Sequence, residues 1–393
     1  MTSAFSRLAE NLGALRTANL VRTLEVGAAA QGPIRQFNHR QFINFCSNDY
    51  LGLANHPALK AALIEGVEKF GVGAGAAALL SGYSEAHHVL EVELANYLGY
   101  ERALLFSSGY LANLGVIGGL VGRHDCVFHD RLNHASLIDA ICLAGAKHVR
   151  YRHADPLALA DRLADRAHPA WIVTDGVFSM DGDLAPLPQL AELAASHDAV
   201  LICDDAHGFG VLGNGAGTAA SFGLNPCAVP IQTVTFGKAL GTVGAAVLGP
   251  AVVIETLIQS ARTFIYDTAL PPALAWTTSC ALRLATRESS LRAQLFANIK
   301  LFKAGLHAVG LPVPTSNTPI QPFVLGESNA ALAAAVALRE RGLYVRAVRP
   351  PTVPIGTARL RICLSAAHTA QQIEQLVDGL QAIRFLFPEA SRA

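Results

Sequence analysis

Lysine is scarce in this chain: six residues among 393, against twenty-four arginines. An excess of either charge is also lacking, with Lys+Arg and Asp+Glu at 30 each. That balance provides no overall field of the kind that draws a protein to nucleic acid or to a charged membrane surface. The seven cysteines, at 46, 126, 142, 203, 227, 280 and 363, show no C-x-x-C spacing. Several sit inside apolar runs such as VLICDD and RLRICLS, which predicts buried, reduced thiols in a cytoplasmic protein. The first residues, MTSAFSRLAENLGALRTANLVRTLEV, mix charge with leucine at helical spacing and lack the apolar core of a signal peptide. The longest weakly polar run, 237–254, is interrupted by Lys238, several glycines and Pro250, so it makes a poor membrane span. There is no G-x-x-x-x-G-K-[ST] phosphate loop and no G-x-S-x-G hydrolase elbow. The G-x-G within GVGAGAAALLSG (71–82) follows no strong strand and does not fit a dinucleotide fingerprint.

What is present is apolar content, 51% of the chain, with 15% charged residues. These values predict a well-buried globular protein of two or three structural units. In PALKAALIEGVEKF, Leu59, Leu63, Val67 and Phe70 recur at helical spacing, as do Leu90, Leu94, Tyr97 and Leu98 in EAHHVLEVELANYLG. Short apolar runs then alternate with helix-like stretches: ALLF (103–106), CVFH (126–129), HVRY (148–151), WIVTD (171–175), VLICD (200–204), TVTF (233–236) and AAVLG (245–249). That alternation predicts an α/β fold, a mostly parallel central sheet with helices on both faces. Past about residue 285, a charged helical stretch, ATRESSLRAQLFANIKLFKAGL, leads to strand candidates IQPFVLG and LYVRAV and to two further helices. The expected organisation is an N-terminal segment (1–47), a large domain (48–285) and a smaller C-terminal α/β domain (286–393).

Active sites in such sheets form beyond the carboxyl ends of strands, so those ends carry the functional reading. VLICD runs into Asp204, Asp205, Ala206 and His207. ALLF runs into Ser-Ser-Gly at a helix start, where free N–H groups make an anion site. CVFHD leads to His134, WIVTD to a glycine-rich loop with Ser179, and TVTF to Thr235 and Lys238. Taken singly, each has a bland explanation: a turn acid, an ordinary N-cap, a structural histidine. H-x4-H at 129–134 has no third ligand nearby, which speaks against a metal. Lys238 is different. It is the only formally charged residue between Ala206 and Ile254, and an ammonium in such apolar surroundings must find a partner, lose its proton or enter a covalent bond. A lysine able to lose its proton, an acid, a histidine platform and a phosphate cradle together describe a site for pyridoxal 5'-phosphate (PLP). There the lysine forms a Schiff base and the acid keeps the ring nitrogen protonated.

The ordered series SNDYLGL, FSSGYLAN, DRLNHASLID, GVFSMDGDLAPL, DDAHGFGVLG, TFGKALG, TFIYDTALPP and PPTVPIGTARLRICLSAAHT resembles the α-oxoamine synthases over roughly residues 15–385. These are fold-type I PLP-dependent acyltransferases. Through RPPTVPIGTARLRI, the likeness is strongest to members that condense L-alanine with pimeloyl-CoA or a pimeloyl-carrier protein, with loss of carbon dioxide, in biotin biosynthesis. The resemblance implies that Lys238 binds the cofactor and acts as the base, with Asp204 on the ring nitrogen and not its neighbour Asp205. It implies that His134 stacks on the ring and that His207 and Ser179 bond its phenolic oxygen. Gly109, Tyr110 and Thr235 are then expected to hold the phosphate, with Thr268 reaching the partner's site in a homodimer. Arg22, Asn48, His134, Thr352 and Arg361 are expected to meet substrate, Arg361 on a strand that turns Arg359, Arg361 and Cys363 to one face. The chain departs from the family in reading Ala77-Ala78 where a Ser-Arg pair is common, which removes a hydroxyl and a charge on the acyl-donor side. A sister synthase such as glycine C-acetyltransferase, and a PLP-binding homologue without catalysis, are the alternative readings.

Overall fold

The computed structural model describes residues 3–164 and 170–387. The chain falls into two units: a large one, Asn48–Ser179 with Asp183–Gln294, and a small one, Met1–Ser47 with Met180–Gly182 and Leu295–Ala393.

The large unit is built on seven strands: β1 (Arg102–Phe106), β2 (Cys126–Asp130), β3 (Lys147–Tyr151), β4 (Ala170–Asp175), β5 (Ala199–Asp204), β6 (Ile231–Thr235) and β7 (Ala245–Gly249). They lie in the order β1-β7-β6-β5-β4-β2-β3. The pairs from β6 through β3 are all parallel, whereas β7 runs against both its neighbours. All seven apolar runs named above therefore form strands. Successive side chains on a strand point to opposite faces, and this sheet buries both. Val127, Val173, Ile202 and Ile231 join one apolar cluster, and Phe128, Ile172, Leu201 and Cys203 join another.

The helices of this unit used below are α1 (Pro57–Phe70), α2 (Glu85–Leu98), α3 (Gly109–Leu120), α4 (Ala135–Ala144) and α5 (Pro272–Arg287). The face expected for α1 needs correction. Leu59 is buried, but with Ala62 and Gly66, while Leu63 and Val67 are 37% and 39% exposed. The reason is a close helix crossing: a Cβ on Gly66 would lie 2.9 Å from Ala273 Cα in α5. Small residues, not the leucine–valine stripe, mark the line of contact. In α2, Leu90 and Leu94 are buried as expected, together with Ala86, His87 and Ala95. The charged stretch expected after residue 285 is divided at Glu288 (φ −95°, ψ 77°), and a new helix begins at Ser289.

In the small unit, strands Ile34–Phe37, Arg40–Asn44 and Leu343–Tyr344 form one sheet, and Ile320–Gly326, Ala358–Cys363 and Arg346–Val348 form a second. Helices Ser328–Glu340 and Ala370–Ala382 bury apolar faces in this unit, whereas Ser3–Thr17 buries no residue. The seven cysteines are free thiols; Cys126, Cys203 and Cys363 are buried, but Cys142 and Cys227 are exposed. Among the described residues, no helix is long and apolar enough to cross a membrane, and no group of three His, Cys, Asp or Glu is placed to hold a metal ion.

Candidate active site

Strands β1, β4, β5 and β6 end at Phe106, Asp175, Asp204 and Thr235, and the chemistry gathers at this carboxyl edge. After β1 the chain turns into α3 with Ser108 as N-cap, its side chain accepting the Leu111 N–H at 3.2 Å. The first N–H groups of a helix have no intrahelical partner and attract anions. A side chain at Gly109 has no room: a Cβ there would lie 2.5 Å from Thr235 Cγ2. The backbone start of α3 and Thr235 are thus brought together at the place assigned to the phosphate. The Tyr110 hydroxyl donates to Asp139, and its ring meets His134 edge-on with centroids 6.3 Å apart.

Asp204 and Asp205 separate as strand alternation requires. Asp204 accepts from Asn113 Nδ2 at 2.6 Å and from the Ala206 N–H at 3.0 Å, and it acts electrostatically on His134. Asp205 faces the other way. It accepts from Thr218 N–H (2.7 Å), Thr218 Oγ1 (2.5 Å) and Gln232 Nε2 (2.9 Å). Burial pushes the Asp205 carboxyl up to about 7, and Gly176, Gly208 and Gly217 leave room for its oxygens.

His134 caps α4. Its backbone N–H donates to Asp175 Oδ2 at 2.7 Å and its Nδ1 lies 2.8 Å from Ser136 Oγ. Burial and the charge of Lys238 push its pKa down, against the pull of Asp204. A neutral imidazole with an apolar face suits a stacking role. Lys238 is half-buried in the turn after β6, where its carbonyl accepts the Gly241 N–H. Its charge is felt by both His134 and Asp175. His207 is buried, with Nδ1 2.6 Å from the Tyr50 hydroxyl. The SNDYLGL loop that brings Tyr50 there is folded around Asp49, whose carboxylate accepts from Leu53 and Ala54 N–H at 2.8 and 3.1 Å. Asn48 Oδ1 lies 3.3 Å from the same hydroxyl. Ser179 is half-buried in a loop closed by the Val177–Leu184 bridge.

Three residues here escaped the sequence reading: Asn113, Asp175 and Tyr50. Asn113 is four residues beyond Gly109, so it shares that helical face. Asp175 ends WIVTD as Asp204 ends VLICD. Tyr50 carried no sequence signal of its own beyond its motif. Thr268 is exposed and forms a backbone bridge with Ala77, so the Ala77–Ala78 departure lies beside it.

The other expected substrate residues lie in the small unit. Arg22 donates to Thr352 Oγ1 at 3.2 Å, and both line a cavity of about 460 Å³ that also receives Arg346 and Arg349. Arg359 is buried and ion-paired with Asp181, which gives it a structural task. Arg361, on the same strand, is half-buried with its guanidinium 2.9 Å from Cys363 Sγ.

These residues fit PLP. Lys238 would supply the amine for the aldehyde, Asp204, braced by two N–H donors, would face the ring nitrogen, and the glycine-lined start of α3 would seat the phosphate.

The family model "Aminotransferase class I and II" matches residues 40–380. The 8-amino-7-oxononanoate synthase of Methylococcus capsulatus is 56% identical over 340 residues, 86% of this chain and 88% of that protein. The 8-amino-7-oxononanoate synthase of Thioalkalivibrio sulfidiphilus is 53% identical over 368 residues, 93% of this chain and 94% of that protein. Among solved structures, serine palmitoyltransferase from S. paucimobilis with PLP and myriocin bound matches with a TM-score of 0.91. It is 31% identical, covering 98% of this chain and 99% of that one. The chain belongs to the class I and II aminotransferase family, and within it to the PLP-dependent acyltransferases known as 8-amino-7-oxononanoate synthases.

Proposed function

We propose that the chain condenses L-alanine with a pimeloyl thioester, of CoA or of a carrier protein, in the cytoplasm as a homodimer with sites at the subunit interface. The products are the amino ketone, carbon dioxide and the free thiol. The observation that carries this reading is the cluster at the carboxyl edge, where Lys238 acts on His134 and Asp175 while Asp204 is held by Asn113 and Ala206. PLP supplies the electron sink for the Cα–H and C–C bond changes. Lys238 takes the proton from alanine Cα and returns one to the product carbon. Asp204 holds a proton on the ring nitrogen. His134 would stack on the cofactor ring, and His207 with Ser179 would hold its phenolic oxygen. Arg361 receives the alanine carboxylate, for which a planar guanidinium offers a two-pronged contact. The cavity beside Arg22 and Thr352 takes the acyl chain, whose distal carboxylate suits its arginines. Thr268 reaches the phosphate of the partner's site.

The test is a product assay crossing alanine, glycine and serine with pimeloyl, acetyl, succinyl and palmitoyl thioesters. Alanine with a pimeloyl thioester is expected to give the highest kcat/KM with stoichiometric carbon dioxide. A preference for glycine with acetyl-CoA overturns the substrate assignment. Light scattering is expected to show a dimer.

A further inference from the structure

Asp175 and Asp204 are exact neighbours across two parallel strands. They are paired in register at the carboxyl ends of β4 and β5, and the Gly176 N–H donates to the Asp204 carbonyl at 2.8 Å. Residues so paired point to the same face of a sheet from strands about 4.8 Å apart. Both are buried, at 3% and 4% exposure. Two carboxylates that share so dry a site cannot both stay ionised at low cost. Their surroundings are unequal. Asp204 receives the amide of Asn113 and the N–H of Ala206. Asn113 is itself held in place by donating to Ser136 Oγ at 2.8 Å. Asp175 receives a single main-chain donor, the N–H of His134.

We infer that the pair carries one negative charge, with the proton on Asp175. Asp204 is then the only anion of the two presented to the ring nitrogen, and Asp175 is a positioning residue that fixes the N-cap of α4 and with it the His134 ring. Hydrogen bonds favour the charged form of the group that receives more of them, which places the charge on Asp204. The groups that act on Asp175 are Asp204 from β5, Lys238 beyond β6, Asp130 at the end of β2 and the His134 N–H. Burial and Asp204 together push its pKa well above the ordinary carboxyl range.

The inference rests on the reading of Asp204 as the partner of the ring nitrogen, so one arm of the test is run without cofactor. The infrared difference spectrum between the PLP-free wild type and PLP-free Asp175→Asn near neutral pH is expected to contain the carbonyl stretch of an un-ionised carboxyl group, a difference to which Asp205, present in both proteins and itself pushed up to about 7, contributes nothing. In the PLP-loaded protein, Asp175→Asn mimics the neutral acid. It is expected to keep PLP affinity within about threefold and to leave the pH midpoint of the visible absorption band in place, whereas Asp204→Asn shifts both. Absence of the carboxyl band from that difference spectrum overturns the inference. So does a midpoint displaced as far by Asp175→Asn as by Asp204→Asn, which means both acids are ionised, or one displaced only by Asp175→Asn, which puts the proton on Asp204. If the infrared result holds but Asp204→Asn leaves the loaded spectrum unchanged, it is the cofactor assignment that fails. Circular dichroism of each variant reports whether it folds, and Asp175→Asn retains an oxygen to accept the His134 N–H.

Discussion

The Tyr50 hydroxyl and His207 Nδ1 lie 2.6 Å apart, both side chains buried, although 157 positions separate them in the chain. The phenol fixes the plane of the imidazole that is proposed to orient the cofactor's phenolic oxygen. Tyr50→Phe removes one hydrogen bond and little volume. The expected result is a loss of ~1–1.5 kcal/mol, about tenfold in kcat, with PLP still bound. Steady-state kinetics beside the absorption spectrum of the loaded variant checks this; unchanged kcat means the contact does not orient His207.

Lys238 lies in a turn and not in either apolar cluster of the sheet. Lys238→Ala is therefore expected to abolish turnover with little change in unfolding midpoint. Borohydride reduction of the PLP-loaded wild type followed by peptide mapping is expected to find the adduct on Lys238. An adduct on any of the other five lysines refutes the assignment.

The two adjacent acids are expected to fail differently. Asp204→Asn should slow exchange of the alanine Cα proton by orders of magnitude, since a neutral pyridine is a poorer sink. Asp205→Asn disturbs the bonds to Thr218 and Gln232 and should instead lower stability by ~1–3 kcal/mol. Proton exchange followed by NMR, with chemical denaturation in parallel, separates the two. The reverse pattern would exchange their roles.

Gly109→Ala pushes a methyl group against Thr235. The expected outcome is weaker PLP binding by at least tenfold, read by fluorescence titration. Gly118→Ala in the same helix, where an added Cβ meets nothing within 4 Å, serves as a control for helix propensity.

His153 bridges Asp130 Oδ1 (3.0 Å) and Asp183 Oδ2 (2.8 Å) and packs edge-on against Phe178, next to the loop that carries Ser179. Burial opposes the charged ring, but the hydrogen bonds it donates to the two carboxylates outweigh that and raise its pKa to about 10. Because the folded value lies above the unfolded one, about 6.5, the stabilisation is complete below pH ~6.5 and is lost as pH rises towards ~10. After allowance for solvent screening it amounts to about 2 kcal/mol. Urea midpoints measured from pH 6 to pH 10 should fall for the wild type and flatten in His153→Gln.

The seven strands and the lysine, acid and histidines at their ends were legible in the sequence because each rests on local rules. Buried parallel strands demand unbroken apolar runs, and a lone lysine in apolar company signals itself within a few residues. Alternation alone separates Asp204 from Asp205. What the sequence could not supply was whatever depends on contact between distant segments. Which face of α1 is buried was decided by Gly66 closing on Ala273, not by the strength of its leucine–valine stripe. Arg359 and Arg361 share a strand face, yet only tertiary packing gives Arg359 the partner Asp181. Tyr50 has no distinguishing local pattern and matters because it meets His207; Asp175 ends its apolar run as Asp204 does, but only strand register sets the two acids side by side. Local patterning chose the elements and the reactive residues, whereas the pairing of buried polar groups, which must find partners anywhere in the fold to offset the cost of leaving water, was decided only by the tertiary structure.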